Sequence, residues 1–435
     1  MKPLNLIYIH SHDTGRYVQP YGYAIPTPHL QQFAEEGVLF RQAHCAAPTC
    51  SPSRAALLTG QSAHNSGMLG LAHRGFALHD YAQLLSCVLQ NEGYATVMAG
   101  GQHVARKPFA NPAKELGYAR VLDFKTQEDI ASNASAFLSE QSAQPFFLDV
   151  GFQYTHRKGS VFVDPPRQLG DPRYVRPPAP LPDTPQTRQD MADFMEAAHR
   201  LDQCIGQILT ALEKSGQAEN TLVICTTDHG IAFPGMKCSL TDHGTGVMLM
   251  MRGPGFSGGK VIDALISQID LFPTLCEVLN IEKPQWLQGK SILPLLRGEA
   301  EEINDAIFAE VSHHAAYEPK RAVRTRRWKY IRRFSGRKTR VLPNTDDSLS
   351  KEFWTDHDWA KQELAEEVLF DLLFDPNEAN NLAADPAYTE ILQDMRKRLD
   401  AWMQETGDPL LLGDIPVPPG GKSTSVDAYS PDGKR

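Results

Sequence analysis

A cysteine, an arginine four residues on, and a scatter of histidines and aspartates give this chain the means to hold and attack an anionic centre. The densest stretch is Cys50-Ser51-Pro52-Ser53-Arg54-Ala55-Ala56-Leu57-Leu58-Thr59-Gly60. Ser51 reads as an N-cap, and Pro52 suits the first helical position, where its missing N–H costs nothing. Gly60 then ends a short, mostly apolar helix. Cys50 is thereby expected just ahead of a helix N-terminus, where unpaired N–H groups and the positive dipole end favour an anion. Arg54 lies one turn on, so its guanidinium can fold back toward position 50, and a thiol so placed is electropositive and reactive. Taken alone, the stretch also fits a buried cysteine before an ordinary capped helix.

The other candidates are Asp13, His103, His156 and the pair Asp228-His229. Each falls at or just beyond a predicted strand end. Leu4 to Ile9 is a continuous apolar run of the kind buried in a parallel sheet, and it ends in Ser11-His12-Asp13-Thr14-Gly15. Ala95–Ala99 precedes His103, Phe146–Phe152 precedes His156, and Thr221–Thr226 precedes Asp228. Open α/β sheets bind ligands at the carboxyl ends of their strands, so one rim can gather all of these side chains. Between the strands, helices are expected from Thr27-Pro28 to Glu36, Leu84 to Gln90, Asp190 to Ser215 and Gln268 to Leu279, with a further strand at Val247 to Met251. Phe194, Leu201, Ile205, Ile208 and Leu212 have helical spacing. Prolines crowd Asp164 to Gln186, which reads as a long surface loop. Alternating strands and helices predict a doubly wound, mostly parallel sheet.

Near residue 300 the texture changes. Residues 320–340 carry many cations and no acids, and Tyr388 to Thr406 reads as an amphipathic helix. The expected division is a catalytic α/β domain over 1–300 and a smaller α+β domain over 301–435. The basic run reads either as exposed strand faces or as a cationic wall for an anionic sugar or polymer.

At 435 residues the chain exceeds the usual size of a single core. A net charge of -9 gives no global attraction for polyanions, so nucleic acid is not expected as a partner and an anionic substrate needs local cations. No apolar run approaches membrane-spanning length. Seven scattered cysteines without a Cys-x-x-Cys pair suit reduced thiols, and the N-terminus lacks a signal-peptide pattern, so a cytoplasmic protein is expected. The oligomeric state is left open.

Cys-x-Pro-Ser-Arg-x-x-x-Leu-x-Thr-Gly resembles the signature of the type I sulfatases. The resemblance continues through Thr27-Pro28-His29-Leu30, Gln102-His103-Val104, Thr155-His156-Arg157, Thr227-Asp228-His229-Gly230-Ile231, Phe233-Pro234, Ser312-His313-His314 and Leu369-Phe370-Asp371. Within the family these stretches resemble the N-sulfoglucosamine sulfohydrolase (sulfamidase) branch. The resemblance implies an alkaline-phosphatase-like α/β domain followed by a small domain carrying an antiparallel sheet. It also implies that Cys50 is oxidised to formylglycine by a formylglycine-generating enzyme and that Arg54 stabilises it. Asp13 and Asp228 would bind a divalent cation with the modified Cys50, His103 would contact the aldehyde hydrate, and His156 and Lys237 would bind the sulfo group. His313, His314 and Arg321 would face the substrate.

Three positions depart from the family pattern. His12-Asp13 stands where two aspartates are usual, Asp228-His229 where Asp-Asn is usual, and Gly101 where many members have a catalytic lysine. Calcium prefers oxygen donors, whereas imidazole suits manganese and similar ions, so His12 and His229 join the expected metal set and either Ca2+ or Mn2+ is expected. The Asp-His pair resembles the phosphonate monoester hydrolase branch. The leading expectation is a hydrolase of sulfate esters or N-sulfo bonds on a sugar-like anion. The alternatives are a phosphonate monoester or phosphodiester hydrolase with the same nucleophile, and a non-catalytic anion- or glycan-binding relative.

Overall fold

The computed structural model describes residues 3–106, 112–140, 144–162 and 170–433. Ten strands belong to the first two-thirds of the chain: β1 (Asn5–Ser11), β2 (Val38–His44), β3 (Ala95–Gly100), β4 (Arg120–Leu122), β5 (Phe146–Gly151), β6 (Arg157–Lys158), β7 (Val161–Phe162), β8 (Thr221–Thr227), β9 (Leu249–Arg252) and β10 (Lys260–Ser267). Eight form one sheet in the order β10-β2-β9-β8-β1-β5-β3-β4, while β6 and β7 form a small hairpin. Every pairing in the large sheet is parallel except those of β9, which runs against β2 and β8. The fold is therefore the expected doubly wound, mostly parallel one, with a single reversed strand.

Alternation along the strands explains why helices cover both faces. In β1, Leu6 and Tyr8 join a core with Leu57 and Leu58 of the helix Cys50–Thr59 and Leu271, Phe272 and Leu275 of the helix Leu271–Leu279. Ile7 and Ile9 face the other way, toward Leu30 and Phe33 of Pro28–Glu36, Ile130 of Gln127–Leu138, and Leu201, Ile205 and Ile208 of Pro185–Lys214. Since seven strands point the same way, β1, β2, β3, β5 and β8 end on one rim.

Several boundaries differ from expectation for local reasons. The long helix starts at Pro185, not near Asp190, because Thr184 and Thr187 form a capping box and Pro185 fits the first turn. Part of the proline-dense stretch falls outside the described residues; Pro172–Tyr174 is a 3-10 turn. The strand expected at Val247 begins at Leu249, where pairing to β2 and β8 starts. The helix carrying Cys50 begins at Cys50 itself, with Thr49 as the capping residue, so Pro52 is its third residue. Ser51 is not the cap; its Oγ accepts from the Ala72 N–H at 3.0 Å.

A second, antiparallel sheet follows: β11 (Ala306–His313), β12 (Tyr317–Thr325), β13 (Trp328–Arg333) and β14 (Glu367–Asp371). One face packs Val323, Tyr330 and Leu369 against Leu392, Met395 and Leu399 of the helix Thr389–Glu405. The other packs Ala309, Val311, Ala322 and Ile331 around Leu240. The basic run is split: Arg326 and Arg327 face solvent, while others of its cations are buried. Lys320, Arg321, Arg324 and Lys329 are buried. Lys320 Nζ donates to the Cys238 carbonyl at 2.9 Å, and Lys329 Nζ reaches the Leu240 carbonyl at 2.9 Å and Asp242 at 2.7 Å. Burying an ammonium is tolerated when its donors are filled. Among the described residues no helix is long and apolar enough to cross a membrane, and all seven cysteines are free.

Arg321 is wholly buried, bound by Asp408 at 2.5 and 3.0 Å and by Glu310 at 3.4 Å. It therefore does not face a substrate. Burial opposes ionisation of Glu310, but His64 and Arg321 outweigh it and draw its carboxyl from 4.5 down to about 2. A carboxyl depressed in the folded state stabilises fully above its unfolded value and loses that contribution as pH falls toward the folded one. Denaturant unfolding is therefore expected to show wild type losing more stability than Glu310→Gln between pH 5 and pH 3. Asp408→Ala, which strands a buried guanidinium, is expected to cost about 3–5 kcal/mol at neutral pH. Equal acid sensitivity in Glu310→Gln would remove Glu310 from this role.

Candidate active site

The rim collects side chains from five strand ends. After β1 come His12 and Asp13, after β2 Cys50, after β3 His103, after β5 His156, and after β8 Asp228 and His229. Lys237 lies in the connection from β8 to β9. The backbone bends sharply to present two of them: Asp13 and His103 adopt left-handed conformations with φ of 52° and 56°. Non-glycine residues take that region at a cost that surrounding structure must offset. For Asp13 the offset is visible, since its N–H donates to Asp228 Oδ1 at 2.8 Å.

Ligand atoms of Asp13, Cys50, Asp228 and His229 lie within 4.8 Å of one another, and so do those of His12, Asp13, Cys50 and His156. His229 Nε2 stands 3.2 Å from Asp13 Oδ1, 3.7 Å from Asp228 Oδ1 and 3.4 Å from Cys50 Sγ. The other nitrogen, Nδ1, is 2.9 Å from the Gly230 carbonyl, which leaves Nε2 for the cluster. His12 Nδ1 is 3.1 Å from Asp228 Oδ2, yet neither ring nitrogen of this buried side chain makes a well-formed hydrogen bond. A buried imidazole without hydrogen bonds, beside two buried carboxylates and a sulfur, is a donor set that fits a divalent cation.

Cations surround the carboxylates. Lys237 Nζ lies 3.0 Å from both Asp13 Oδ2 and Asp346 Oδ2. Burial would lower its pKa, but Asp13 and Asp346 raise it well above the ordinary lysine value, so it stays charged. Burial likewise opposes charge on Asp228, yet His229, Arg54 and His12 hold its carboxyl well below the usual range. Arg54 does not fold back onto Cys50. Its Nη2 donates to the Ser11 carbonyl at 2.9 Å and to Asp228 at 3.2 Å, and its Nη1 meets His10 Nδ1.

The thiol is not activated in the way its helix position alone suggested. Cys50 is 1% exposed, and burial pushes its pKa well above the usual value, with Asp13 and Asp228 adding to the rise. As a thiol it is neutral, and helix position alone cannot reverse that desolvation.

Burial also lowers the pKa values of His12, His103 and His156, with Arg54 adding to the effect on the first two. Near neutrality these rings are therefore uncharged and can accept protons. His12 packs against His156 and His103 with ring centroids 5.1 and 5.5 Å apart. His103 also stacks on His73 at 5.3 Å, Nε2 to Nδ1 at 3.1 Å.

Of the residues expected to face substrate, His314 comes close to the centre. It is buried, its Nδ1 has no hydrogen-bond partner, and Lys237 and His229 add to the burial that keeps it uncharged. His313 points elsewhere, with Nε2 3.0 Å from the Ile415 carbonyl and its ring against Phe76 and Tyr317. Sequence reasoning missed Asp346, His73 and His10. Asp346-Asp347 sits in a polar stretch that offers no local sign of a lysine partner more than a hundred residues away. Gly101 lies beside Gln153, and a Cβ placed there would meet its amide at 3.1 Å.

These features have known counterparts. The sulfatase family model matches residues 4–281, and a model for the N-sulphoglucosamine sulphohydrolase C-terminal region matches residues 237–347. The chain belongs to the sulfatase family. As a member it is a sulfuric ester hydrolase, with an alkaline-phosphatase-like fold. It is 31% identical to human N-sulphoglucosamine sulphohydrolase over 94% of this chain and 91% of that protein. In fold it resembles a 2-O GAG sulfatase (TM-score 0.73, 24% identity, 96% of both chains). It also resembles the phosphonate monoester hydrolase of Agrobacterium radiobacter (TM-score 0.71, 20% identity, 93% of this chain and 96% of that one).

Lys237→Ala and His156→Ala are each expected to lower kcat/KM on an aryl sulfate about a hundredfold or more, as loss of a preorganised charge or proton carrier does. Circular dichroism should show both variants folded. Near-full activity in either one places that residue outside the site.

Proposed function

We propose that this protein hydrolyses a sulfate ester or N-sulfo bond on a sugar-like anion, using a formylglycine made from Cys50 and one bound divalent metal. The observation that carries this reading is the position of Cys50 Sγ, 3.4 Å from His229 Nε2 and 3.9 Å from Asp13 Oδ1, on a rim that also holds Lys237. A nucleophile there borders both a metal-type donor set and a fixed ammonium. The likeness to human N-sulphoglucosamine sulphohydrolase supports a sugar carrying an N-sulfo or O-sulfo group.

Asp13, Asp228, His229 and the modified Cys50 would hold the metal, with His12 as a further ligand. The ion would supply positive charge to offset the negative charge building on the sulfo oxygens. The chain's own groups do the rest. Lys237, kept charged by Asp13 and Asp346, binds the sulfo group and steadies it as sulfur is attacked. His156, uncharged at rest, assists the leaving oxygen or nitrogen once it has taken up a proton from water. His103 takes a proton at the nucleophile's side, and its contact with the exposed His73 gives that proton a way to water. Arg54 fixes Asp228 and the turn after β1. Because Cys50 is 1% exposed, a formylglycine-generating enzyme reaches it only before folding is complete.

A second reading, phosphonate monoester or phosphodiester hydrolysis, is favoured by one feature: an imidazole, His229, stands in the donor cluster. Nitrogen donors tilt the site from calcium toward manganese.

Intact mass of the Cys50 peptide is expected to show replacement of the thiol by an aldehyde. Cys50→Ala and Cys50→Ser should abolish turnover of an aryl sulfate while leaving the fold intact, and near-wild-type activity in Cys50→Ala would sink the mechanism. Turnover of an aryl sulfate should exceed that of an aryl phosphonate monoester; the reverse order selects the second reading. Chelation should remove activity, and add-back should restore it better with manganese than with calcium. In His229→Asn that preference should narrow. Full activity in metal-free protein would reject the metal.

A further inference from the structure

Between the reversed strand side of the large sheet and the turns of the small sheet lies a cleft of about 810 Å³. Five arginines line it: Arg16, Arg41, Arg324, Arg326 and Arg327. None of its lining residues belongs to the catalytic cluster. The two meet back to back: Gly15 N–H donates to the His229 carbonyl at 2.9 Å, and Gly230 N–H to the Gly244 carbonyl at 2.8 Å, forming the partition.

The charge balance of the cleft favours an anion. Its two lining carboxylates are Asp242 and Asp263. Asp242 is already shared by Lys329 at 2.7 Å and Arg324 at 2.9 Å, and its carboxyl is held well below the usual range against burial. Asp263 is engaged by Arg41 at 3.3 Å across an exposed pair. Arg327 is held by the buried Asp371 at 2.7 Å, and Arg326 pairs with Glu302 at 3.2 Å, largely in solvent. Exposed pairs of this kind are weak and exchange readily for a better partner. Arg16 is different. Among the described residues no carboxylate lies within 4.0 Å of it. Its Nη2 donates to the Ala43 carbonyl at 3.0 Å and sits 2.8 Å from His44 Nε2, and its buried Nε has no partner. Asp242 is the nearest negative charge acting on it, and that carboxylate is already taken by Lys329 and Arg324, so Arg16 has no ion-pair partner of its own for an anion in the cleft to displace.

The same wall carries Tyr17 and Tyr23, their rings 4.5 Å apart. Tyr17 is buried, but Tyr23 is 38% exposed, and an aromatic face beside arginine forks suits a ring that carries acidic substituents. We infer that this cleft is a second, non-catalytic binding site for a sulfated saccharide segment, held by Arg16 and the arginines of its walls. The choice of saccharide over other ring-bearing anions rests on the proposed sugar substrate. Such a site would bind a saccharide segment separately from the one that enters the catalytic rim.

The test uses full-length Cys50→Ala protein, which binds without turnover, and a heparin-derived tetrasaccharide as probe. Calorimetry should give two sites per chain, with the second weakened by raised salt. In the triple variant carrying also Arg41→Glu and Arg326→Glu, both exposed positions, the second site should weaken at least about tenfold, the loss of one charge-assisted hydrogen bond. The same two substitutions in the active protein should leave kcat on a small aryl sulfate unchanged, which separates this result from failure of the catalytic reading. Arg16→Gln should weaken the same site while the catalytic site still binds. One site per chain with affinity untouched by the wall substitutions overturns the inference. Binding of ATP or inorganic phosphate in the cleft without binding of the tetrasaccharide also overturns it.

Discussion

Two buried carboxylates, Asp13 and Asp228, stand close enough that the backbone N–H of one donates to the side chain of the other. Negative charge in so dry a place must be met by positive charge or strong donors. Much of the rim answers that demand. Lys237 lies on one side, Arg54 on the other, and His229 and His12 lean on the shared oxygens. Each of these groups is in turn fixed from outside. Asp346 holds the far side of Lys237, and His10, itself paired to Asp149 at 2.8 Å, meets Arg54.

The demand also explains the local backbone. Asp13 turns into the left-handed region because its N–H must point at Asp228 while its carboxylate faces Lys237 and His229. Parallel strand ends make such convergence inexpensive, since neighbouring loops leave the sheet at one level. The reversed β9 breaks the pattern, and the connection from β8 to β9 stays on the rim long enough to deliver Lys237.

The doubly wound sheet was legible because long apolar runs alternate with helical periodicity, as in Leu4–Ile9 and in Leu201, Ile205, Ile208 and Leu212. The clustering of Asp13, Cys50, Asp228 and His229 was legible because strand ends share a rim and because the stretch around Cys50 is so distinctive. Charge was harder to read. Arg321 and Lys320 look identical in sequence to exposed strand cations, and only their distant partners, Asp408 and the Cys238 carbonyl, explain their burial. The long helix starts earlier than expected because Thr184 caps it, whereas the helix at Cys50 starts after Thr49 without any side-chain cap. The state of the Cys50 thiol was misread because local helix position says nothing about how much water the fold removes.

The lysines of the small sheet grip the connection that carries Lys237: Lys320 takes the carbonyl of the very next residue, and Lys329 that of Leu240. Asp346, which braces Lys237 directly, also lies beyond β13. The posture of a cation on the catalytic rim is thus set by residues roughly a hundred positions later in the chain. Grafting the small sheet of one relative onto the large sheet of another would retune the reaction centre, not merely its outer walls. In evolutionary terms, the two sheets are bound to drift together.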